Sequence, residues 1–79
     1  MWFREEIVRW RDGLRTSRTG AEVIRAIAER MQAEPDPVKK RVVKFVLAEE
    51  HRAQGNKAAA DALYREDPRD EVHYWYNDL

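Results

Sequence analysis

Few side chains in this 79-residue chain are of types that do covalent chemistry: there is no cysteine, and the hydroxyl nucleophiles are Thr16, Ser17 and Thr19, all in the stretch "TSRT". Acyl or phosphoryl transfer needs a nucleophile beside a base, and neither histidine, His51 or His73, lies near that stretch in sequence. The glycines, Gly13, Gly20 and Gly55, stand too far apart for a phosphate loop or a dinucleotide fingerprint, and no G-x-S-x-G is present. A metal would have to use His51 and His73 with carboxylates such as Glu49, Glu50 or Asp70. Asp70 and His73 are three apart and can share a helical face, but H-E-x-x-H and other paired-histidine spacings are missing. The chemistry-bearing residues therefore predict no metal, no cofactor and no catalysis, since a thin helical bundle also has little room for a concave pocket.

Two other constellations point to binding. The chain closes with "HYWYNDL", which sets Tyr74, Trp75 and Tyr76 side by side, and opens with Trp2. Tryptophan, tyrosine and arginine are the residue types that dominate interface hot spots, so Trp2, Tyr74, Trp75 and Tyr76 are the expected contacts of a protein partner. Leftover apolar surface on a small domain is often covered by self-association, which makes a homodimer the simplest such partner. The alternative is nucleic acid: "VKKRVVK" places Lys39, Lys40, Arg41 and Lys44 at the start of a helix, where they can approach phosphates, and Arg4, Arg9, Arg11, Arg15 and Arg18 supply a second basic strip. Net charge is zero and the turn before that helix, "EPDP", is acidic, both of which count against it.

The elements that carry these residues read as helices. Phe3, Ile7, Trp10 and Leu14 recur at steps of four, three and four, one stripe of a helix over about residues 2–15, with Arg4, Arg9, Arg11 and Arg15 off the stripe and Trp2 and Val8 at its edge, open to exposure. Thr19 and Glu22 have the spacing of a capping box, so a second helix begins there, carries Val23, Ile24, Ile27 and Met31, and stops at "EPDP". Asp36 caps and Pro37 opens a third helix to about residue 54, whose face follows Val38, Val42, Phe45, Val46 and Glu49, broadened by Val43 and Leu47. This should be the central element. The β-branched run "RVVKFVLA" also suits a buried strand, but the helix formers that follow it without a break favour a helix.

Gly55 then suits a left-handed helix stop, and Asn56 can cap "KAAADALYRE". Leu47, Gly55, Ala60 and Tyr64 in this hairpin resemble the tetratricopeptide repeat, yet Pro68 comes one turn too early, Lys44 and His51 stand where aromatics belong, and a solenoid needs about three units. The segment is read as a generic helical hairpin with no family claimed. Asp67 and Pro68 can start a last short helix over 68–77, with an extended arm as the other possibility for Val72, Tyr74 and Tyr76.

Length permits one domain, residues 1–79, and at this size only about 60% of the unfolded surface can be buried. The first helix is too charged to be the apolar heart of a signal peptide, and no apolar run approaches the roughly 18–20 residues that span a bilayer, so a cytoplasmic protein with no membrane partner is expected. Residues 1–46 hold 11 Lys/Arg against 7 Asp/Glu and residues 47–79 hold 4 against 8, so the halves carry +4 and −4 and can neutralise each other across one fold. The resulting expectation is an all-α bundle of three main helices with a short C-terminal helical hairpin and an aromatic terminal segment. Its expected role is that of a small non-catalytic adaptor, regulator or inhibitor that occupies a partner's surface. A compact chain of this kind fits a bacterial or phage accessory protein.

Overall fold

A computed structural model describes residues 2–66, and in these the chain is all helical: α1 (Phe3–Arg15), α2 (Gly20–Ala33), α3 (Pro37–Ala53) and α4 (Lys57–Glu66). The proposed last helix over 68–77 and its extended alternative lie outside the described residues.

Three boundaries have a clear local cause. At the start of α2 both halves of the capping box form: the Thr19 hydroxyl accepts from the Glu22 backbone N–H at 3.3 Å, and the Glu22 carboxylate accepts from the Thr19 N–H at 3.0 Å. Asp36 caps α3 by accepting from the N–H groups of Val38 at 2.9 Å and Lys39 at 3.5 Å, and Pro37 occupies the first turn. The far end of α3 closes in a Schellman arrangement. Gly55 takes φ +83°, its N–H donates to the Arg52 carbonyl at 3.0 Å, and the Asn56 N–H donates to the His51 carbonyl at 2.8 Å. By contrast, α1 begins at Trp2 with no side-chain cap.

The connections are short, and the helices alternate in direction as short links require. Gln54, just past α3, donates to the Gly20 carbonyl at the start of α2 (3.0 Å), while Phe45 of α3 meets Tyr64 of α4 with ring centroids 5.3 Å apart. Phe3 lies by Lys39 and Arg15 by Glu50, so α1 and α3 run the same way.

The "RVVKFVLA" run is helical and central. Val42, Val43, Phe45, Val46, Leu47 and Ala48 are all buried, spread around enough of α3 to meet neighbours on several sides. Around it Ile7, Val23, Ile27 and Met31 join Val43, Val46 and Leu47 in one cluster, with Phe3, Val8, Trp10, Leu14, Ile24, Ala28 and Leu63 half-buried at its margin. Val8 thus packs on the core where its spacing left it free to be exposed. Trp10 sits at the margin with the Arg30 guanidinium 4.8 Å from its ring centre, the geometry of a cation stacked on an aromatic face.

Candidate functional site

Trp2 is the one large hydrophobic side chain exposed among the described residues, 51% open to solvent. It stands before the first turn of α1 with extended backbone, and its carbonyl accepts the Glu6 N–H at 3.1 Å, which fixes the chain at that point while leaving the indole outside the core. Its neighbour Phe3 is half-buried and carries the Lys39 ammonium 5.3 Å from the ring centre. The fold therefore brings the beginnings of α1 and α3 to one end of the bundle, with one member of each expected binding set close together. Tyr74, Trp75 and Tyr76 lie outside the described residues.

The basic start of α3 is less concentrated than its sequence. Successive helical positions turn by about 100°, so Lys39, Lys40 and Arg41 point to three different sides. Lys39 faces α1, Lys40 is half-buried, and Arg41 and Lys44 are half-buried and already engaged within the protein. The helix N-terminus that a phosphate would approach already holds the Asp36 carboxylate on its first free N–H groups.

In the second basic strip Arg4 is half-buried, Arg11 is buried and Arg15 is paired, while Arg9 and Arg18 are exposed. Arg11 is only 8% exposed and Glu50 only 3%. The Arg15 guanidinium donates to Glu50 Oε1 through Nε at 3.0 Å and through a second nitrogen, and Arg11 Nε lies 3.7 Å from the same oxygen. The other oxygen, Oε2, accepts from Gln54 Nε2 at 3.0 Å, and Gln54 also holds Gly20. Glu49 extends the seam, 3.4 Å from Arg4 and 3.7 Å from Arg11, while Asp12 lies 3.1 Å from Arg11. Glu50 thus ties α1, α3 and the start of α2 to one carboxylate. Burial pushes its carboxyl pKa up, but the hydrogen bonds from Arg15 and Gln54 and the charges of Arg15 and Arg11 outweigh burial and hold it below the usual carboxylate value. The same bond to Glu50 raises the Arg15 guanidinium.

Sequence reasoning placed Arg4, Arg11 and Arg15 off the apolar stripe and chose Glu49 as the acidic member of the α3 face. The deeply buried acid is Glu50, and the signal for it was present: Val43, Val46 and Glu50 continue one side of the helix at steps of three and four, while Arg4, Arg11 and Arg15 recur at seven and four. Unlike charges on facing sides of two helices were the readable clue.

Two of the three Ser/Thr hydroxyls and His51 are committed to local structure, while His73 and Asp70 lie outside the described residues. Thr16 donates from its hydroxyl to the Gly13 carbonyl at 2.7 Å, Thr19 serves the capping box, and His51 Nδ1 lies 3.4 Å from the Asn56 amide. Among the described residues no three His, Cys, Asp or Glu side chains gather as metal ligands would, and no helix is long and apolar enough to cross a membrane. A shallow apolar hollow runs along the outer side of α2, lined by Arg25, Ala28, Glu29, Gln32 and Ala33. No family model, curated protein or solved structure shows significant similarity to the chain.

Proposed function

We propose that this chain is a small non-catalytic protein-binding module of the cytoplasm, acting as an adaptor, regulator or inhibitor by occupying a partner's surface. The observation that carries the reading is Trp2: a tryptophan held half-exposed at a fixed helix start, beside Phe3 and Lys39, is the kind of aromatic anchor around which interfaces are built. The closing Tyr74, Trp75 and Tyr76 are assigned to the same role on residue type alone. Two further features favour a protein over a nucleic acid as partner. Arg4, Arg11 and Arg15 are matched by Glu49, Glu50 and Asp12, and the α3 N-terminus is matched by Asp36, so much of the positive charge is already paired and Arg9, Arg18 and Lys39 are left exposed.

The test begins with capture from nuclease-treated lysate of the native host, at low and moderate salt. Each captured protein is then purified and titrated calorimetrically against the intact chain, Trp2→Ala and Trp75→Ala/Tyr76→Ala. The expected result is a purified protein whose affinity falls at least about tenfold in one or both variants, as loss of an aromatic hot spot does, with helical circular dichroism unchanged. Recovery of nucleic acid alone, with affinity falling steeply as salt rises, would overturn the reading in favour of Lys39, Lys40, Arg41 and Lys44. Unfolding of Trp75→Ala/Tyr76→Ala would return those aromatics to the core and leave Trp2 as the sole anchor.

A further inference from the structure

We propose that α1 is a strap that opens as a unit from the α2–α3–α4 body, with Glu50 as its latch. The inference concerns motion within the fold and stands independently of the binding role.

The helices are unequally anchored. The α2 helix buries Val23, Ile27 and Met31, and α3 buries six apolar side chains from Val42 to Ala48. The α1 helix buries a single apolar residue, Ile7, together with the cation Arg11; α4 buries only Ala60, but Tyr64 adds its ring contact with Phe45 of α3. Phe3, Val8, Trp10 and Leu14 pack half-buried at the core margin, with Trp10 under Arg30 and Phe3 under Lys39, and the charged seam of Arg4, Arg11 and Arg15 on Glu49 and Glu50 adds to that hold. Apolar burial is indifferent to the rest of the network, whereas Glu50 Oε1 serves two arginines at once, so one carboxylate governs several contacts. The ends of α1 also favour separation. Its start has no side-chain cap, and its exit runs through residues 16–18 before Thr19, which belongs to the capping box of α2. The body keeps its own fastenings, the box at Thr19, the Asp36 cap, the Gly55 turn and the Phe45–Tyr64 contact, none of which uses α1. Regions with few buried apolar contacts open at lower free energy than the core, and as contiguous units. Opening α1 would present Phe3, Ile7, Trp10 and Leu14 as one apolar stripe.

Native-state amide hydrogen exchange across a series of low denaturant concentrations tests this on the intact chain. Amides from Ile7 to Leu14 should exchange through an opening with a smaller denaturant dependence than those from Val43 to Leu47. Two variants then separate the units. Tyr64→Leu weakens the body, which stays folded when α1 opens, so protection in α3 should fall about tenfold while protection in α1 is unchanged. Glu50→Gln weakens the closed state against both the opened and the unfolded states, so α1 and α3 should lose protection by the same factor, about ten- to hundredfold for a charge-assisted bond. A common denaturant dependence for both helices in the unaltered chain, or parallel loss of protection in both on Tyr64→Leu, would show one cooperative unit and overturn the proposal. Glu50→Gln with unaltered protection would remove Glu50 as the latch.

Discussion

The two sides of α3 are held by different physics. Toward α4, the Phe45 ring packs at a tilt against Tyr64, and small residues, Ala48 and Ala60, are fully buried. Toward α1, the C-terminal half of α3 presents Glu49 and Glu50 to three arginines. Shape and apolar area fix the first contact, and neither depends on ionisation. The second exists only while its carboxylates are charged, and part of its Coulombic gain is offset by the desolvation of Glu50 and Arg11. A single helix can thus carry one neighbour on a contact that truncation damages most and another on a contact that acid damages most.

The strongest way to break this comparison is to truncate the apolar side. Phe45→Ala should cost about 3–5 kcal/mol, comparable with the whole stability of a small domain, about 5 kcal/mol at the lower end. The expected result is a chain largely unfolded at room temperature by circular dichroism. A loss below about 1 kcal/mol in urea titration, outside the usual range for a buried phenylalanine, would mean that the α3–α4 side is not the better anchored one.

On the charged side Glu50→Ala removes the acceptor of Arg15 and one of the two acceptors of Gln54, and leaves the buried Arg11 to Asp12 and Glu49 alone. The expected cost is about 2–3 kcal/mol, below that of a fully buried pair because Arg15 is partly exposed and can recover water. Repeating the measurement on an Arg15→Met background should show a smaller cost, and the difference gives the coupling between the two. Equal costs in both backgrounds would mean that the bond contributes nothing.

The pH response distinguishes the two sides further. Glu50 has its folded pKa lowered from the ordinary value of 4.5, so its contribution is complete above about that pH and is lost as pH falls through the lower, folded value. Stability should be flat from neutrality to about pH 5 as far as Glu50 is concerned, then decline more steeply in the unaltered chain than in Glu50→Gln. Parallel curves for the two proteins would refute the lowered pKa. Glu22 is lowered as well, by the backbone and hydroxyl bonds of Thr19, so some acid sensitivity should persist in the variant.

These differences were unequally legible in the sequence. The caps were readable because each is a local device: Thr19 with Glu22, Asp36 with Pro37, and Gly55 after the last periodic residue each satisfy backbone groups within about three or four residues. The centrality of α3 was readable from its broad apolar face. The charged seam was legible only in part: Arg4, Arg11 and Arg15 recur at helical spacing and Glu50 continues the side of Val43 and Val46, but Arg15 and Glu50 are 35 positions apart and nothing in either segment alone says that charges will be buried. Helix periodicity sorts residues into apolar and polar faces, and a guanidinium can lie along an apolar flank with its stem packed and its head paired. Of the expected binding residues, Trp2 was legible as an aromatic off the stripe. The divergence of Lys39, Lys40 and Arg41 around α3, with Lys44 returning to the side of Lys40 and Arg41, follows from helical rotation alone and could have been drawn from their spacing.

The smallest effect concerns α1 apart from either of its contacts. Gly13 lies within the helix, and a methyl group built on it would meet nothing within 4 Å. Gly13→Ala therefore adds no packing and touches no charge; it removes freedom from the unfolded chain and should stabilise by about 0.5–1 kcal/mol. Thermal denaturation should show a correspondingly small rise in midpoint at neutral pH, with the acid limb still governed by Glu50. In hydrogen exchange the same substitution separates two ways for α1 to leave the body. If the helix detaches intact, closed and detached forms both gain from the alanine, so amides near Ile7 that exchange by local fraying with residue 13 still helical hardly change, and only those whose fraying includes residue 13 gain protection. If it unravels as it detaches, the closed form alone gains and protection from Ile7 to Leu14 rises by the full factor, about two- to fivefold. The charged seam holds α1 in place, and this residue outside the seam reports whether α1 remains a helix once it is released.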